Sequence, residues 1–562
     1  MSRLRQLDGP GASVHASGPS QGGRLSIDGW TIGALAIASF AALPILAILV
    51  AAPMGGLEAL THLAKTVLGR YVANTLSLMA IAGAIATIVG VGCAWLVSAA
   101  EFPGRRFASW ALALPLAVPA YIAAYIYADL LDFSGPVQSG LRGLTGWSVG
   151  EYWFPTIRSL PGGAFVLGIV LYPYVYMLAR AAFAFQSPRQ FRAARSLGAT
   201  PFRAFWHVAL PAARPAIAGG LALVLMEVLA DFGVAQYFAI PTFSTGIFRS
   251  WLAMGDKQAA LKLAAMMLVF VIALIAFEGA TRRGRSDSRD GLAQRDEGPL
   301  IHLSAGGKAC AAIACAFPIL LGFGIPALHL GALAFDDAAL AAAGDLWTYL
   351  SGSLWLGLAT GLVCVFAAIV LAFAKTRSDS PIANAAIRFS TLGYALPGAL
   401  LAVGLLAPLG FIDVSLTRAA RDSVGYSGGL LLTGTSLILI YALSVRFLTV
   451  AYNSVDGGMT KIPASLDSAA RSLGAGPGRV LTRIYAPLLR PSLLAAMALV
   501  FIDTVRELPA TLILRPFNLE TLATRTYRLA SDERLVEASI PALILLAAGL
   551  LPVILLARAS RR

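Results

Sequence analysis

The chain has 562 residues, of which 58% are hydrophobic and 13% are charged, and its formal net charge is +14. About a quarter of the residues in a soluble protein are charged, so this composition excludes an ordinary soluble protein and indicates an integral membrane protein. In a membrane protein a positive balance indicates basic cytoplasmic loops. We therefore expect membrane lipid around the chain and no nucleic-acid partner.

The chain begins with residues 1–29, which are polar and rich in Gly and Ser, and we interpret them as a flexible cytoplasmic tail. Twelve apolar segments follow, each near the roughly 20 residues that a helix needs to cross a membrane. The first six are 30–53, 72–100, 107–128, 161–179, 215–240 and 259–280. The second six are 309–335, 346–374, 389–412, 423–445, 491–514 and 538–557. The sequence therefore predicts an all-α integral membrane fold with twelve transmembrane helices.

The loops between these segments differ in charge, which predicts their orientation. Five arginines follow span four: Arg189, Arg192, Arg195, Arg203 and Arg214. Five more follow span six: Arg282, Arg283, Arg285, Arg289 and Arg295. Alternation of the spans puts both groups on the side of the chain termini, which carry Arg3, Arg5, Arg24, Arg558, Arg561 and Arg562. Because basic loops remain in the cytoplasm, we predict that both termini are cytoplasmic.

An internal repeat fixes the organisation of the chain. The heptapeptide AARSLGA occurs at 193–199 and again at 469–475, an offset of 276 residues. At this offset 12 of the 23 positions from 193 to 215 are identical. Six predicted spans lie in each half of the chain, so we expect two parallel halves related by a pseudo-two-fold axis along the membrane normal. The predicted domains are 30–280 and 301–562, joined by a charged cytoplasmic linker at 281–300.

The repeated loop has a predictable shape. Gly198 is placed to end a short basic helix in the left-handed conformation. Thr200 and Pro201 are typical of the cap and first turn of a second helix, which we expect to end before Pro211. Two such loops on the cytoplasmic side favour rigid contacts with a partner protein. The alternative is an amphipathic hairpin that lies on the membrane without a partner.

These loops resemble the cytoplasmic signature of the ABC importer permease family: Glu-Ala-Ala, three residues, Gly, nine residues, Ile-x-Leu-Pro. The matching residues of the first loop are Arg192, Ala193, Ala194, Gly198 and Pro211. Those of the second are Ser468, Ala469, Ala470, Gly474 and Pro487. Both loops lack the Glu, for which Asp467, one residue early, is a partial substitute. The resemblance implies that each loop sits in a cleft of a nucleotide-binding subunit.

Within that family the chain is most similar to the fused ferric-iron permeases, over essentially its whole length. The similarity is carried by segments 125–138, 171–183, 226–238, 241–251 and 507–535. It implies a type I ABC importer fold in the bacterial inner membrane, a periplasmic iron-binding protein and two copies of an ATPase subunit. No Gly-x4-Gly-Lys-Ser/Thr loop is present. We therefore expect no cofactor and no enzymatic activity in this chain, with ATP and Mg held by the partner ATPase.

Four acidic residues lie within the predicted fifth and eleventh spans: Glu227, Asp231, Asp503 and Glu507. The spacing i, i+4 puts each pair on one helix face, and the repeat offset relates the two pairs. Each costs roughly 2.5–3.5 kcal/mol to insert, so they should face the bundle interior. One hypothesis is a carboxylate-lined path for ferric iron, a hard cation that prefers oxygen ligands. The other is a structural role, with Arg506 as an ion-pair partner.

Further candidates for the path are Tyr172 and Tyr176 in span four and Asp129 at the outer end of span three. Span-end tyrosines are more often membrane-interface anchors, and an acidic residue such as Asp129 at a span end is more often a solvated loop charge. We expect iron to be a transient cargo, without a structural metal site. The alternative functions are a fused permease for another cargo such as thiamine and an ion-driven secondary transporter. A membrane enzyme has no nucleophile–base pair to support it.

Overall fold

The computed structural model describes residues 29–54, 61–185, 188–283, 301–378 and 380–559. The predicted tail up to residue 28, linker residues 284–300 and C-terminal residues 560–562 lie outside the described residues, and with them half of the arginines used to predict the orientation. Across the described ranges the chain is helical, with one isolated β-bridge between Ala100 and Ile301. The predicted all-α fold is therefore confirmed.

The helices of the first half, numbered in chain order, are α1 Gly29–Ala51, α2 Gly69–Ala99, α3 Arg105–Ala111, α4 Ala120–Leu131, α5 Pro136–Thr145, α6 Leu160–Phe185, α7 Pro188–Ser196, α8 Pro201–Ala204, α9 Leu210–Ala230, α10 Gly233–Tyr237, α11 Phe243–Phe248 and α12 Lys257–Arg283. Those of the second half are α13 Ala305–Ile319, α14 Ile325–Leu333, α15 Asp337–Ala342, α16 Leu346–Arg377, α17 Pro381–Ser390, α18 Gly398–Val424, α19 Ser436–Met459, α20 Ala464–Ser472, α21 Pro477–Val480, α22 Ala486–Arg506, α23 Pro509–Leu514, α24 Leu522–Ser531 and α25 Leu535–Ala559.

Eleven of the described helices are long and apolar enough to cross a membrane, or twelve if one bent pair counts as a span. In that pair, which is the predicted third span, Arg105–Ala117 meets Ala120–Thr145 at 90°. The bend lies between residues 117 and 120, beside Pro115 and Pro119, which lack the N–H that a continuous helix needs. The predicted tenth span begins too early, because residues 425–435 form a loop before α19.

The structure repeats as the sequence does. Residues 188–230 and 464–506 form the same series of helices, and each helix begins and ends at positions 276 residues apart. Further along, each half has an equivalent capping box, formed by Thr242 and Thr245 in the first half and by Thr521 and Thr524 in the second. Here the offset is 279 residues because the loop in the second half is longer.

The first helix of each half packs against the other half. Helix α1 contacts α16, α17 and α18, whereas α13 and α14 contact α2, α3 and α4. The contacts include Phe40 stacked on Tyr441 at 3.6 Å between ring centroids, and Cys93, whose thiol donates to the Ala314 carbonyl at 3.7 Å. The halves therefore share one interleaved core.

The two repeated loops have the predicted helix–glycine–helix form. Gly198 and Gly474 adopt φ values of +89° and +79°, and the Thr200 hydroxyl accepts from the Arg203 N–H. The predicted helix end before Pro211 is wrong, because residues 201–230 form one continuous helix. A π-helical turn at Phe205–Ala209 precedes the proline, and the Leu210 N–H reaches the Phe205 carbonyl. The wider turn accommodates the missing Pro211 N–H without breaking the helix. Pro487 follows an equivalent π-helical turn.

Candidate functional site

A cavity of about 420 Å³ lies in the middle of the bundle. Residues 167–177, the middle of α6, line one side, and the C-terminal ends of α9 and α22 line others. Part of α19, the segment 116–121, Tyr394 and residues 549–553 of α25 complete the wall. Both halves contribute, and all four predicted acidic residues lie on this cavity.

The acidic residues occupy two breaks in the long helices. Helix α9 ends at Ala230 and α22 at Arg506, and the next residues, Asp231 and Glu507, have extended backbones. The breaks are equivalent in the repeat. The predicted single helix face for each acidic pair is therefore wrong, because each helix ends between its two acidic residues. No proline lies near the first break, whereas Pro509, two residues after Glu507, is typical of a helix boundary and was a signal for the second.

Asp231 and Glu507 hold the short helices that follow. The Asp231 carboxylate accepts from the backbone N–H groups of Val234 at 3.4 Å and Ala235 at 3.0 Å. Glu507 accepts from the N–H groups of Ala510 and Thr511, both at 3.0 Å, and from the Thr511 hydroxyl at 2.9 Å. These bonds satisfy backbone donors at helix starts, inside a membrane where no water can replace them. Asp231 and Glu507 therefore cap the short helices α10 and α23.

Glu227 and Asp503 are bound differently. They are repeat equivalents, one helical turn before the breaks, and both are half-buried on the cavity. Glu227 accepts one hydrogen bond, from the Tyr394 hydroxyl at 3.1 Å. The Asp503 carboxylate accepts none from the residues that the structure describes, although Arg446 and Arg506 are charged neighbours. These two carboxylates retain most of their ligand capacity.

Two arginines add positive charge to the cavity. Arg446 on α19 donates to Glu507 at 3.3 Å. The sequence interpretation missed it, because the predicted tenth span ended at Val445; with the helix at 436–459, a charge in the middle of the span would have been evident. Arg506, the predicted ion-pair partner, instead donates to the Leu116 carbonyl of the other half at 2.8 Å. Within the described ranges no carboxylate lies within 4 Å of its guanidinium.

The other predicted path residues do not line the cavity. Tyr172 and Tyr176 are fully buried on another face of α6, and Tyr176 donates to the Ser109 carbonyl at 2.8 Å. Tyr174, two residues from each, does line the cavity, as does Tyr121. Asp129 lies at the end of α4, where its carboxylate is 2.6 Å from His329 Nε2.

Tyrosines also close the cavity toward the end of the bundle opposite the two repeated loops. The Tyr121 ring lies 5.9 Å from that of Tyr125, which lies 4.4 Å from Tyr237. The Arg158 guanidinium lies over Tyr237 at 4.9 Å and forms an ion pair with Asp132 at 2.7 Å. Opening on this side would require these rings and this ion pair to separate.

In this conformation the cavity does not hold a metal-chelating cluster. Among the described residues, no three His, Cys, Asp or Glu side chains come close enough together to bind one ion. Glu227 and Asp503 nevertheless have free carboxylate oxygens, which can bind a passing cation while water supplies its other ligands.

The repeated loops expose apolar side chains at equivalent positions. Leu197 and Leu473, each just before the turn glycine, are both 88% exposed. Asp467, the predicted substitute for the missing Glu, forms an ion pair with Arg377 at 2.7 Å. Its equivalent in the first loop, Phe191, is fully buried and packs against Trp95 at 5.3 Å. Position 467 and its equivalent thus anchor the loops to the bundle.

Comparison with known proteins gives matches along most of the chain. The family described as "Binding-protein-dependent transport system inner membrane component" matches residues 86–282 and 364–562. The Fe(3+)-transport system permease protein FbpB 2 of Haemophilus influenzae is 25% identical over 488 residues, 86% of this chain and 88% of the relative. The ferric transport system permease protein FbpB of Actinobacillus pleuropneumoniae is 23% identical over 79% of this chain and 64% of its own length. The sulfate transport system permease protein CysT of Synechocystis is 28% identical over 36% of this chain and 69% of its own length.

The division of roles among the carboxylates predicts different effects on stability. Asp231→Ala and Glu507→Ala each remove a helix cap, so each should lower the free energy of unfolding by about 1–2 kcal/mol. Asp503→Asn removes a buried charge without breaking a hydrogen bond within the described structure, so it should leave stability unchanged or higher. Thermal unfolding of the purified chain in lipid nanodiscs measures both. An Asp503→Asn variant as unstable as Asp231→Ala would contradict this assignment.

Proposed function

The chain belongs to the family of inner membrane components of binding-protein-dependent transport systems, and from this premise we propose that it forms the translocation path of an ATP-driven importer for ferric iron. Proteins of this family are membrane permeases, not enzymes, and ATP hydrolysis resides in separate subunits. The chain is a multi-span protein of a bacterial inner membrane transport system.

One observation carries the iron proposal: Glu227 and Asp503 are equivalent carboxylates on a central cavity, and both retain free oxygen ligands. Carboxylate and phenol oxygens suit a hard trivalent cation, and Tyr121, Tyr174 and Tyr394 add phenols to the same wall. The two ferric permeases named above are similar to most of this chain, which supports the same cargo.

A second cargo class has support from a specific observation. Arg446 and Arg506 bring guanidinium groups to the cavity, and the sulfate permease is similar to part of the chain. An oxyanion alone would, however, face four carboxylates on the cavity wall. Like charges repel strongly where the dielectric constant is low, so a cation is the better primary cargo.

The energy for transport would enter through the two repeated loops. We infer that each loop docks on one ATPase subunit, which holds ATP and Mg, and that Leu197 and Leu473 fill apolar pockets there. Because Asp467 is paired with Arg377, this docking would not depend on an acidic side chain in the signature position. These loops, and with them both chain termini, would then lie in the cytoplasm.

Cargo would enter from the opposite end of the bundle. A periplasmic binding protein would deliver iron there, where Tyr125, Tyr237 and the Arg158–Asp132 ion pair close the path. ATP-driven movement of the loops would separate these contacts and give the cavity access to the periplasm. The inward step would reverse that movement.

Removing the two free carboxylates should abolish most iron uptake. In the double variant Glu227→Gln/Asp503→Asn, we expect uptake of radiolabelled ferric iron to fall about tenfold or more, because interactions with a charged group contribute about 1.5–3 kcal/mol each. The measurement uses cells that lack other iron importers and express the chain with its ATPase and binding-protein partners.

Asp422→Asn, an exposed change in the last turn of α18, is the matched control and should leave uptake unchanged. Wild-type uptake by the double variant, at equal expression, would refute the carboxylate path.

Exposed leucines on the repeated loops should determine ATPase binding. We expect Leu197→Asp combined with Leu473→Asp to prevent copurification of the ATPase subunit, because a charge would be buried in an apolar interface. Leu144→Asp is the control, since Leu144 is 90% exposed but lies near the other end of the bundle. If the double variant retains the ATPase while Leu144→Asp loses it, the docking surface is on the opposite face.

A further inference from the structure

The two halves contribute different charges to the cavity. The first half supplies Glu227 and Asp231 and no cationic side chain. The second half supplies Asp503 and Glu507, and in addition Arg446 and Arg506. At the repeat offset of 276, the equivalents of these arginines are Val170 and Ala230, which also line the cavity. The first half's side of the cavity is therefore purely acidic, whereas the second half's side carries two carboxylates and both guanidiniums.

Arg446 and Arg506 both have N–H donors that no carboxylate of the described chain accepts. Glu507 already accepts three hydrogen bonds from Ala510 and Thr511, and Arg446 adds one contact at 3.3 Å. Arg506 donates to a backbone carbonyl and lies beyond 4 Å from any carboxylate of the described chain. The Nε atoms of both arginines are buried and have no hydrogen-bond partner. Of the five N–H donors of each guanidinium, Arg446 uses one on Glu507 and Arg506 uses one on the Leu116 carbonyl within the described chain, so both retain donors for a ligand that accepts hydrogen bonds.

A bare trivalent cation in this cavity would be attracted by the four carboxylates but repelled by the guanidiniums of Arg446 and Arg506. A small oxyanion between the metal and the guanidiniums would change that repulsion into attraction, and the planar fork of Arg matches the spacing of oxyanion oxygens. The cavity has room for both, since its volume of about 420 Å³ exceeds by many times the ~30 Å³ occupied by one water molecule.

We propose that the cavity takes a ferric ion together with a small oxyanion, phosphate or carbonate, with the metal against Glu227 and Asp503 and the oxyanion against Arg446 and Arg506. This inference rests on the proposed iron import and specifies the chemical form of the cargo. It also explains why the two halves differ at positions where their backbones are equivalent.

The test is a dual-label transport experiment. The chain is purified with its ATPase subunits, reconstituted in proteoliposomes and supplied with its binding protein carrying ⁵⁵Fe(III). One arm contains ³²P-phosphate and the other ¹⁴C-carbonate. We expect one of the two oxyanions to enter with iron in a constant ratio and only with ATP. In Arg446→Val/Arg506→Ala, which copies the first half, both labels should fall roughly tenfold or more, as expected for loss of charge-assisted hydrogen bonds.

Arg446→Lys/Arg506→Lys should retain part of the transport, and Arg421→Ala, an exposed arginine on α18, should retain all of it. ATP-dependent iron entry without either labelled oxyanion would overturn the inference and leave iron import standing. Absence of ATP-dependent iron entry in the wild type would overturn both. If the Arg446→Val/Arg506→Ala variant does not assemble with the ATPase, the wild type still tests the inference, through the ratio of oxyanion label to iron label that enters with ATP.

Discussion

A charged side chain at the middle of a transmembrane helix costs about 2.5–3.5 kcal/mol, and this chain places four carboxylates and two guanidiniums at that depth. The architecture places all six on one central cavity. The cavity is shielded by helices from both halves, which interleave because the first helix of each half packs on the other. A lipid-facing position for any of these groups would leave its charge unsolvated. The central cavity thus gives all six groups a polar environment.

The same constraint explains the broken helices. A helix that ends inside the membrane exposes backbone donors and acceptors that water cannot reach. Asp231 and Glu507 satisfy those donors at the two breaks, so each acidic residue stabilises the irregular backbone that creates the cavity. Glu227 and Asp503, one turn earlier, are then presented by a rigid helix end. Along each long helix, a carboxylate that binds no backbone N–H group is thus followed, four residues later, by one that caps the next helix.

The sequence predicted the parts of this design that depend on composition and repetition. The apolar segments, the 276-residue offset and the turn glycines Gly198 and Gly474 are local signals, and the structure has them. The break after Ala230 has no proline to mark it, whereas Pro509 marks the break after Arg506 and the sequence interpretation did not use it. The sequence could not show which tyrosine of span four, Tyr172, Tyr174 or Tyr176, lines the cavity, because a helix that is apolar on all sides does not reveal which face meets a cavity. Arg446 was missed because a window that stops at the first charge excludes an arginine buried within a span. The packing of α1 on the other half depends on long-range contacts, which periodicity does not encode.

The most direct measurement of the central claim is the position of iron in the assembled importer. The complex would be trapped with ferric iron and a non-hydrolysable ATP analogue, and the metal located by its anomalous scattering. We expect one peak in the central cavity, within bonding distance of carboxylate oxygens of Glu227 and Asp503. A peak outside the cavity, or one bound by Asp231 and Glu507 while Glu227 and Asp503 remain free, would contradict the division of roles on which this description of the transport path depends.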